Sequence, residues 1–118
     1  MGGYFFDEEV PFAVDANLDY RIRRNGVPVV HDSGARIVHG IETVEHDMVA
    51  ARRIGAGVRA GARSLARMYP DTSERRIGHD LKAVHTGDYP DILRTKGIGV
   101  LLYQMRWDLN FHIGRCRG

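Results

Sequence analysis

The sequence predicts a small all-α domain, a compact bundle of helices. Three segments in the middle of the chain carry this prediction. Residues 42–69 repeat apolar side chains at helical spacing, residues 71–85 begin with capping residues, and residues 88–97 are bounded by helix-terminating signals. The 118 residues, 43% hydrophobic and 27% charged, fit a single domain, residues 1–118, that can bury a core without metal or disulfide.

The region before these helices is predicted to be irregular. Residues 1–17 are expected to form an extended N-terminal arm, because their apolar residues follow no single period and a proline interrupts them. The Asn-Gly pair at 25–26 favours a two-residue hairpin turn, whereas Pro28 removes a backbone donor. Residues 18–31 are therefore expected to form either a short β-hairpin or an irregular loop.

The predicted helix over residues 42–69 has the clearest periodicity. Its apolar face follows alternating steps of three and four, at Ile41, Val44, Met48, Ala51, Gly55, Val58, Ala62, Leu65 and Tyr69. Gly55, Gly57 and Gly61 each cost about 1 kcal/mol relative to alanine in a helix interior. They are expected either to break the helix near Gly55 or to let another helix approach closely. Pro70 ends the segment.

Two further helices follow. Asp71, with Glu74 three residues later, is predicted to cap a helix that runs to about His85. Pro90 is tolerated in the first turn of a second short helix, and Gly97 lies just past its end.

Residues 98–113 are ambiguous from periodicity alone. Apolar residues at every second position, from Leu101 to Ile113, form a strand pattern, which periodicity favours. Leu101, Met105 and Leu109 also share one face of a helix.

The charges are distributed unevenly. Residues 1–50 carry a net charge of −5, and residues 51–118 carry +7. A basic half suits an anionic ligand such as a nucleotide, although an arginine-rich solvated face explains the charge equally well. No apolar run approaches a membrane span and no signal peptide is recognisable. The one cysteine, Cys116, allows no internal disulfide, so we expect a cytoplasmic location and no membrane partner.

Three of the six histidines stand in His-Asp pairs, at 31–32, 46–47 and 79–80. Imidazole and carboxylate groups are ligands for divalent first-row metals. His46 lies near the start of the first predicted helix, and His79 and Asp80 lie mid-way along the second. Two antiparallel helices can bring such residues to one ion.

The chain resembles the HD-domain nucleotide phosphohydrolases. Glu42-Thr43-Val44-Glu45-His46 is similar to the segment that opens their ligand helix, Ile77-Gly78-His79-Asp80 to their His-Asp dipeptide, and Thr86-Gly87-Asp88-Tyr89-Pro90 to the segment that follows. The 33-residue step between the two histidines also fits. The resemblance covers residues 42–93 and is nearest to 5′-deoxynucleotidases and phage deoxynucleoside triphosphohydrolases.

This resemblance implies a metal-dependent hydrolase of nucleotide phosphate bonds that acts on (deoxy)nucleoside mono- or triphosphates. One divalent ion (Mn, Co, Zn, Fe or Mg) would be held by His46, His79, Asp80 and a later aspartate, for which Asp108 is the candidate. Because that aspartate is helical in the family, the resemblance favours a helix at residues 98–113.

The catalytic residues depart from the family pattern. Many relatives have a glutamate where this chain has Ala83, so Asp88, or less plausibly His85, would orient or deprotonate the attacking water. The resemblance also places a phosphate-binding arginine upstream of the first histidine, where Arg23 and Arg24 are the candidates. A homo-oligomer is a further implication.

Two other classes of protein remain open. A non-enzymatic assembly module, such as a phage structural protein, fits the apolar arm and the strand-like C-terminal pattern. A basic nucleic-acid-binding module fits a stripe of arginines on the predicted helices, at Arg52, Arg59, Arg63, Arg67, Arg75 and Arg76.

Overall fold

The computed structural model describes residues 6–10, 12–81 and 86–117, with only the backbone described at Thr86. Its elements are five α-helices and a one-turn 3₁₀ helix, and no strand occurs in the described ranges. The α-helices are α1 (Val14–Arg24), α2 (Val44–Met68), α3 (Glu74–Leu81), α4 (Tyr89–Lys96) and α5 (Ile98–Arg117), and the 3₁₀ helix is Thr86–Asp88. The predicted all-α class is confirmed.

Helix α1 replaces the hairpin considered for residues 18–31. The Asn-Gly pair ends this helix instead of joining two strands. Gly26 adopts a left-handed conformation, with φ of 70°, and its N–H donates to the Arg23 carbonyl, while the Val27 N–H donates to the Ile22 carbonyl. This is the Schellman arrangement of a helix C-terminus, which needs the same backbone freedom as a tight hairpin turn.

The N-terminal arm is shorter than predicted, because α1 begins at Val14. Val10 is buried and packs against Gly61 of α2. The Ser64 hydroxyl of α2 donates a hydrogen bond to the Asp7 carboxylate, and Glu9 is ion-paired with Arg67 of α2. The described part of the arm therefore lies on the protein's own longest helix.

Helix α2 is continuous, and its glycines allow close packing. Thr43 caps its start by accepting a hydrogen bond from the His46 N–H at 3.1 Å. A Cβ atom added at Gly55 would lie 2.0 Å from the Phe111 carbonyl oxygen of α5. In return, Gly114 of α5 faces the backbone of Arg52. Of the two outcomes predicted for these glycines, close approach of another helix is found at Gly55, whereas Gly57 faces the Phe12 carbonyl before α1.

Helix α5 settles the ambiguity of residues 98–113 in favour of a helix. Phe111 is fully buried against α2, whereas Leu102 and Leu109 are more than half exposed on another side. When a helix carries apolar residues on more than one side, apolar and polar residues can alternate along the sequence. This alternation is why the periodicity of residues 98–113 favoured a strand. The helix implied by the family resemblance is confirmed.

Helix α3 begins later than predicted and has a different cap. The Arg76 N–H donates to the Ser73 hydroxyl at 3.2 Å, so Ser73 rather than Asp71 caps the helix. Ile77 is buried with Ala62 and Leu65 of α2. The predicted end of this helix near His85 lies outside the described residues.

Helix α4 matches its prediction closely. It begins after Asp88, carries Pro90 in its first turn and ends at Gly97, whose φ is 88°. Among the described helices, none combines the length and the apolar character that crossing a membrane requires.

Candidate functional site

His46 lies in the first turn of α2 with a largely exposed side chain. Its Nδ1 atom is 3.6 Å from Glu42 Oε2 and 4.0 Å from Asp47 Oδ1. The Asp47 carboxylate also accepts a hydrogen bond from the Tyr103 hydroxyl at 2.7 Å. That hydrogen bond, together with burial and the negative charge of Asp47, raises the pKa of Tyr103 above its usual value.

His79 and Asp80 lie at the end of α3. His79 is exposed, and its Nδ1 atom is 3.7 Å from Asp80 Oδ1. Asp80 also lies 3.5 Å from Arg76 Nε, one turn earlier on the same helix. The imidazole lines a depression of about 310 Å³ together with Ser73, Arg75 and Arg76.

The two predicted halves of the metal site lie far apart. The Cβ position of Gly78, next to His79, is 3.7 Å from Ala62 Cβ. Ala62 follows His46 by 16 residues on the unbroken helix α2, a separation of about 24 Å along its axis. Ligand bonds to divalent transition metals are about 2 Å long, so one ion cannot reach both histidines in this arrangement.

Asp108, the fourth predicted ligand, is 2% exposed on α5. Its Oδ2 atom accepts a hydrogen bond from the Tyr89 hydroxyl at 2.6 Å, and Oδ1 accepts one from Gln104 Nε2 at 3.0 Å. Burial, the hydrogen bond to Asp108 and its negative charge raise the pKa of Tyr89 to about 12. The hydroxyl is therefore protonated at neutral pH, and the pair joins α4 to α5.

The predicted ligands do not fit one metal ion as the helices are placed here. Across residues 6–10, 12–81 and 86–117, no three His, Cys, Asp or Glu side chains form a group that could hold an ion. The sequence could not show this, because spacing along the chain does not fix where α3 docks along the length of α2. The ligand set of His46, His79, Asp80 and Asp108 stays a prediction.

Of the two predicted catalytic residues, Asp88 is described by the structure and His85 is not. Asp88 is exposed at the end of the 3₁₀ helix and precedes α4, where its side chain makes no capping hydrogen bond. His85 lies outside the described residues, as does Ala83, the position of the missing glutamate.

Three predicted residues do come together in one pocket. A pocket of about 520 Å³ between α1 and α3 is lined by Ala16, Asp19, Tyr20, Arg23, Arg24, Asp80 and Leu81. It joins both candidate phosphate-binding arginines to the aspartate of the His-Asp dipeptide. We name it the α1–α3 pocket.

The arginines of the α1–α3 pocket are held by neighbouring acids. Arg23 Nε lies 2.8 Å from Asp19 Oδ2, one turn earlier on α1. Arg24 is ion-paired with Asp71, and its guanidinium carbon lies 5.3 Å from the centre of the Tyr69 ring. Exposed ion pairs of this kind contribute only about 0.2–1 kcal/mol, so the guanidinium groups can exchange partners for a ligand at small cost.

Asp19 and Tyr20 are the polar pocket residues that the sequence analysis missed. The signal was present, because Asp19 and Arg23 have the four-residue spacing of an ion pair on a helix. It was overlooked because the Asn-Gly pair that follows favoured a hairpin.

Comparison of the chain with protein-family models, with curated proteins and with solved structures found no match. No family membership is therefore established, and the HD-type resemblance stays a prediction.

Proposed function

We propose that this chain is a nucleotide phosphohydrolase that binds the phosphates of its substrate in the α1–α3 pocket. The observation that carries the proposal is the meeting of Arg23, Arg24 and Asp80 in one concave site. They come from segments 56 residues apart in the sequence (Arg24 to Asp80), and the family resemblance gave them different roles, phosphate binding and metal binding. The pocket volume, about 520 Å³, suits a small ligand.

The charges of the pocket favour a nucleotide in its metal complex. The two arginines face Asp19 and Asp80, so the four formal charges cancel. A free polyphosphate would meet carboxylates as well as guanidinium groups. Magnesium is commonly bound by one or two carboxylates together with substrate phosphates, so the metal–nucleotide complex complements this set of residues. The divalent ion enters the proposal as part of the substrate.

The resemblance supports the hydrolytic half of the proposal, through the order of the three motif segments. The substrate class is a (deoxy)nucleoside mono- or triphosphate, and a cytoplasmic location fits the single cysteine. No catalytic step is assigned to the predicted four-ligand ion, because its residues are not grouped among the described side chains.

A panel of deoxynucleotides with Mg²⁺, Mn²⁺ or Co²⁺, assayed for released phosphate or pyrophosphate, tests this function. We expect release from at least one nucleotide, slowed about tenfold or more in Asp80→Asn, because a charged partner of the substrate is lost. Asp91→Asn is the matched control, since Asp91 is an exposed aspartate paired with Arg94 on α4. Nucleotide binding without release of phosphate would contradict the hydrolytic activity but not the binding site. Equal effects of Asp80→Asn and Asp91→Asn on the rate would contradict the assignment of the site to the α1–α3 pocket.

Self-association is a second candidate function, favoured by exposed apolar side chains. Ile98, Leu102, Met105 and Leu109 are 44–59% exposed and follow steps of four, three and four along α5. This is the spacing of a coiled-coil seam. We therefore propose that these four side chains pack against α5 of a second copy of the chain. The segment between α1 and α2 adds side chains that are 85–103% exposed, at Val30, Ile37, Val38 and Ile41.

Pairing of α5 with α5 of a second copy predicts a dimer in solution. Sedimentation equilibrium should therefore give a dimer mass that falls to the monomer mass when Leu102 and Leu109 are both changed to Gln. Leu93→Gln, an exposed leucine on α4, is the control. A monomeric wild-type chain would rule out self-association.

A further inference from the structure

A second pocket, of about 680 Å³, lies between α2, α3 and α5. We name it the arginine pocket, because three of its lining side chains are Arg59, Arg75 and Arg115. They come from three different helices, and Arg115 was not part of the stripe of arginines considered in the sequence analysis. Glu74 and Gly78 of α3 line the same pocket, whereas Asp80 and Leu81 line the α1–α3 pocket. The two pockets share no lining residue, and Arg75 of one and Asp80 of the other lie about 140° apart around the axis of α3.

Packing fixes the positions of two of the three guanidinium groups. Arg115 Nη2 lies 3.6 Å from the Cβ position of Gly78, an ordinary van der Waals distance, so this guanidinium group packs against α3. Arg59 Nη1 donates hydrogen bonds to the carbonyl oxygens of Arg115 at 3.2 Å and of Cys116 at 2.6 Å. These bonds anchor Arg59 to the end of α5 and leave its remaining N–H groups for a ligand.

The pocket carries an excess of positive charge. Within the described part of the chain, none of its three arginines is paired with a carboxylate. Its one acid, Glu74, lies 3.5 Å from the Nε atom of a fourth arginine, Arg63. Unpaired guanidinium groups that converge on a concave surface focus a positive potential there.

The same arginines do not continue into a basic stripe. Outside the pocket, Arg63, Arg67 and Arg76 are paired with Glu74, Glu9 and Asp80, whereas Arg52, the remaining arginine of the predicted stripe, donates a hydrogen bond to the Asn110 side-chain oxygen. A nucleic-acid backbone would need positive charge along an extended path, whereas here it is concentrated in a pocket of small-molecule size. The distribution of paired and unpaired arginines therefore favours a small anion.

We infer that the arginine pocket binds the phosphate group of a small molecule, at a site separate from the α1–α3 pocket. Guanidinium groups donate paired hydrogen bonds to phosphate oxygens, and three arginines from three helices can surround one phosphate or diphosphate group. Because the carboxylate in the pocket is already paired, the free anion suits this site without a divalent ion. The inference does not depend on hydrolysis in the α1–α3 pocket.

Calorimetric titration with inorganic pyrophosphate in EDTA tests the inference, because the nucleotide–metal complex proposed for the other pocket cannot form. We expect one site per chain, weakened about tenfold or more by Arg75→Gln or Arg115→Gln. Arg75 is exposed, so its replacement leaves the fold intact. Arg94→Gln on α4 and Arg23→Gln in the α1–α3 pocket are the controls and should bind as the wild type does.

Three results would overturn the inference. The first is a failure of pyrophosphate to bind at millimolar concentration. The second is an equal loss in Arg23→Gln, which would place the anion in the α1–α3 pocket. The third is displacement of pyrophosphate by a DNA oligonucleotide that binds more tightly, which would make the pocket part of a nucleic-acid surface. A metal-free nucleotide that competes with pyrophosphate would show that the pocket accepts the phosphates of a nucleotide, and failure to compete would restrict the pocket to smaller phosphate ligands.

Discussion

The Tyr89 hydroxyl donates a hydrogen bond of 2.6 Å to the buried carboxylate of Asp108 and so joins α4 to α5. The carboxylate that the sequence offered as a metal ligand thus has a structural role in this arrangement. Gln104 donates to its other oxygen. A buried carboxylate is stable only when such donors surround it, and removal of one donor leaves an expensive unsatisfied group.

Tyr89→Phe should therefore destabilise the fold by about 1–3 kcal/mol. The variant removes a donor to Asp108 while it keeps the aromatic ring. Urea unfolding at neutral pH measures the change. Tyr20→Phe is the control, because Tyr20 packs by its ring against Tyr69. A variant as stable as the wild type would show that Asp108 does not depend on this bond.

The stability of the fold should also fall at high pH. The pKa of Tyr89 is raised to about 12 in the folded chain, against 10.0 for an unperturbed tyrosine. The protonated hydroxyl therefore stabilises the fold fully below pH 10, and that contribution is lost as the pH rises through about 12. Urea unfolding between pH 9 and 12 should show a decline that is reduced in Tyr89→Phe. Parallel declines in both proteins would contradict the assignment.

The contact between α2 and α5 should not tolerate a side chain at residue 55. Gly55→Ala places a Cβ atom 2.0 Å from the Phe111 carbonyl oxygen, so the two helices must separate. The cost of overpacking, typically 1–3 kcal/mol, should exceed the gain of about 1 kcal/mol in helix propensity. Thermal unfolding should show a lower midpoint for Gly55→Ala. Gly99→Ala, at a position with nothing within 4 Å, should be neutral or stabilising.

His46 and Asp80 should act independently in nucleotide binding. His46 lies in the first turn of α2, whereas Asp80 lies on α3, which packs against α2 near Ala62, about 24 Å further along the helix. His46→Ala should therefore leave the affinity for a nucleotide–Mg²⁺ complex unchanged, whereas Asp80→Asn should weaken it about tenfold. Calorimetry with a non-hydrolysable analogue measures both affinities. If the two variants abolish binding equally, the predicted four-ligand ion site forms in solution, and the helices are arranged differently from the structure described above.

The elements that were predicted correctly are those whose signals are local. Helix α4 is bounded by Asp88 and Gly97, and α2 is specified by its own periodicity and by Thr43 at its start. Helix α1 was missed because an Asn-Gly pair with a left-handed glycine occurs at a helix end as well as in a hairpin turn. The strand pattern of α5 arose because that helix is apolar on more than one side.

The candidate sites were less predictable, because they depend on how helices dock. The grouping of Arg23 and Arg24 with Asp80 follows from the contact of α1 with α3, which no spacing in the sequence encodes. The arginine pocket likewise depends on the packing of α3 against Arg115 near Gly78. The sequence showed which residue types could bind a metal, but it could not show how far apart His46 and His79 lie in the folded chain.

The proposal that the α1–α3 pocket binds nucleotide phosphates is tested most directly by amide NMR of the ¹⁵N-labelled chain during titration with a deoxynucleoside triphosphate and Mg²⁺. Saturable shifts are predicted for the amides of Tyr20, Arg23, Arg24 and Asp80, and these shifts should need a higher nucleotide concentration in Arg23→Gln. Unchanged amides at these four positions in the presence of millimolar nucleotide would contradict the proposal.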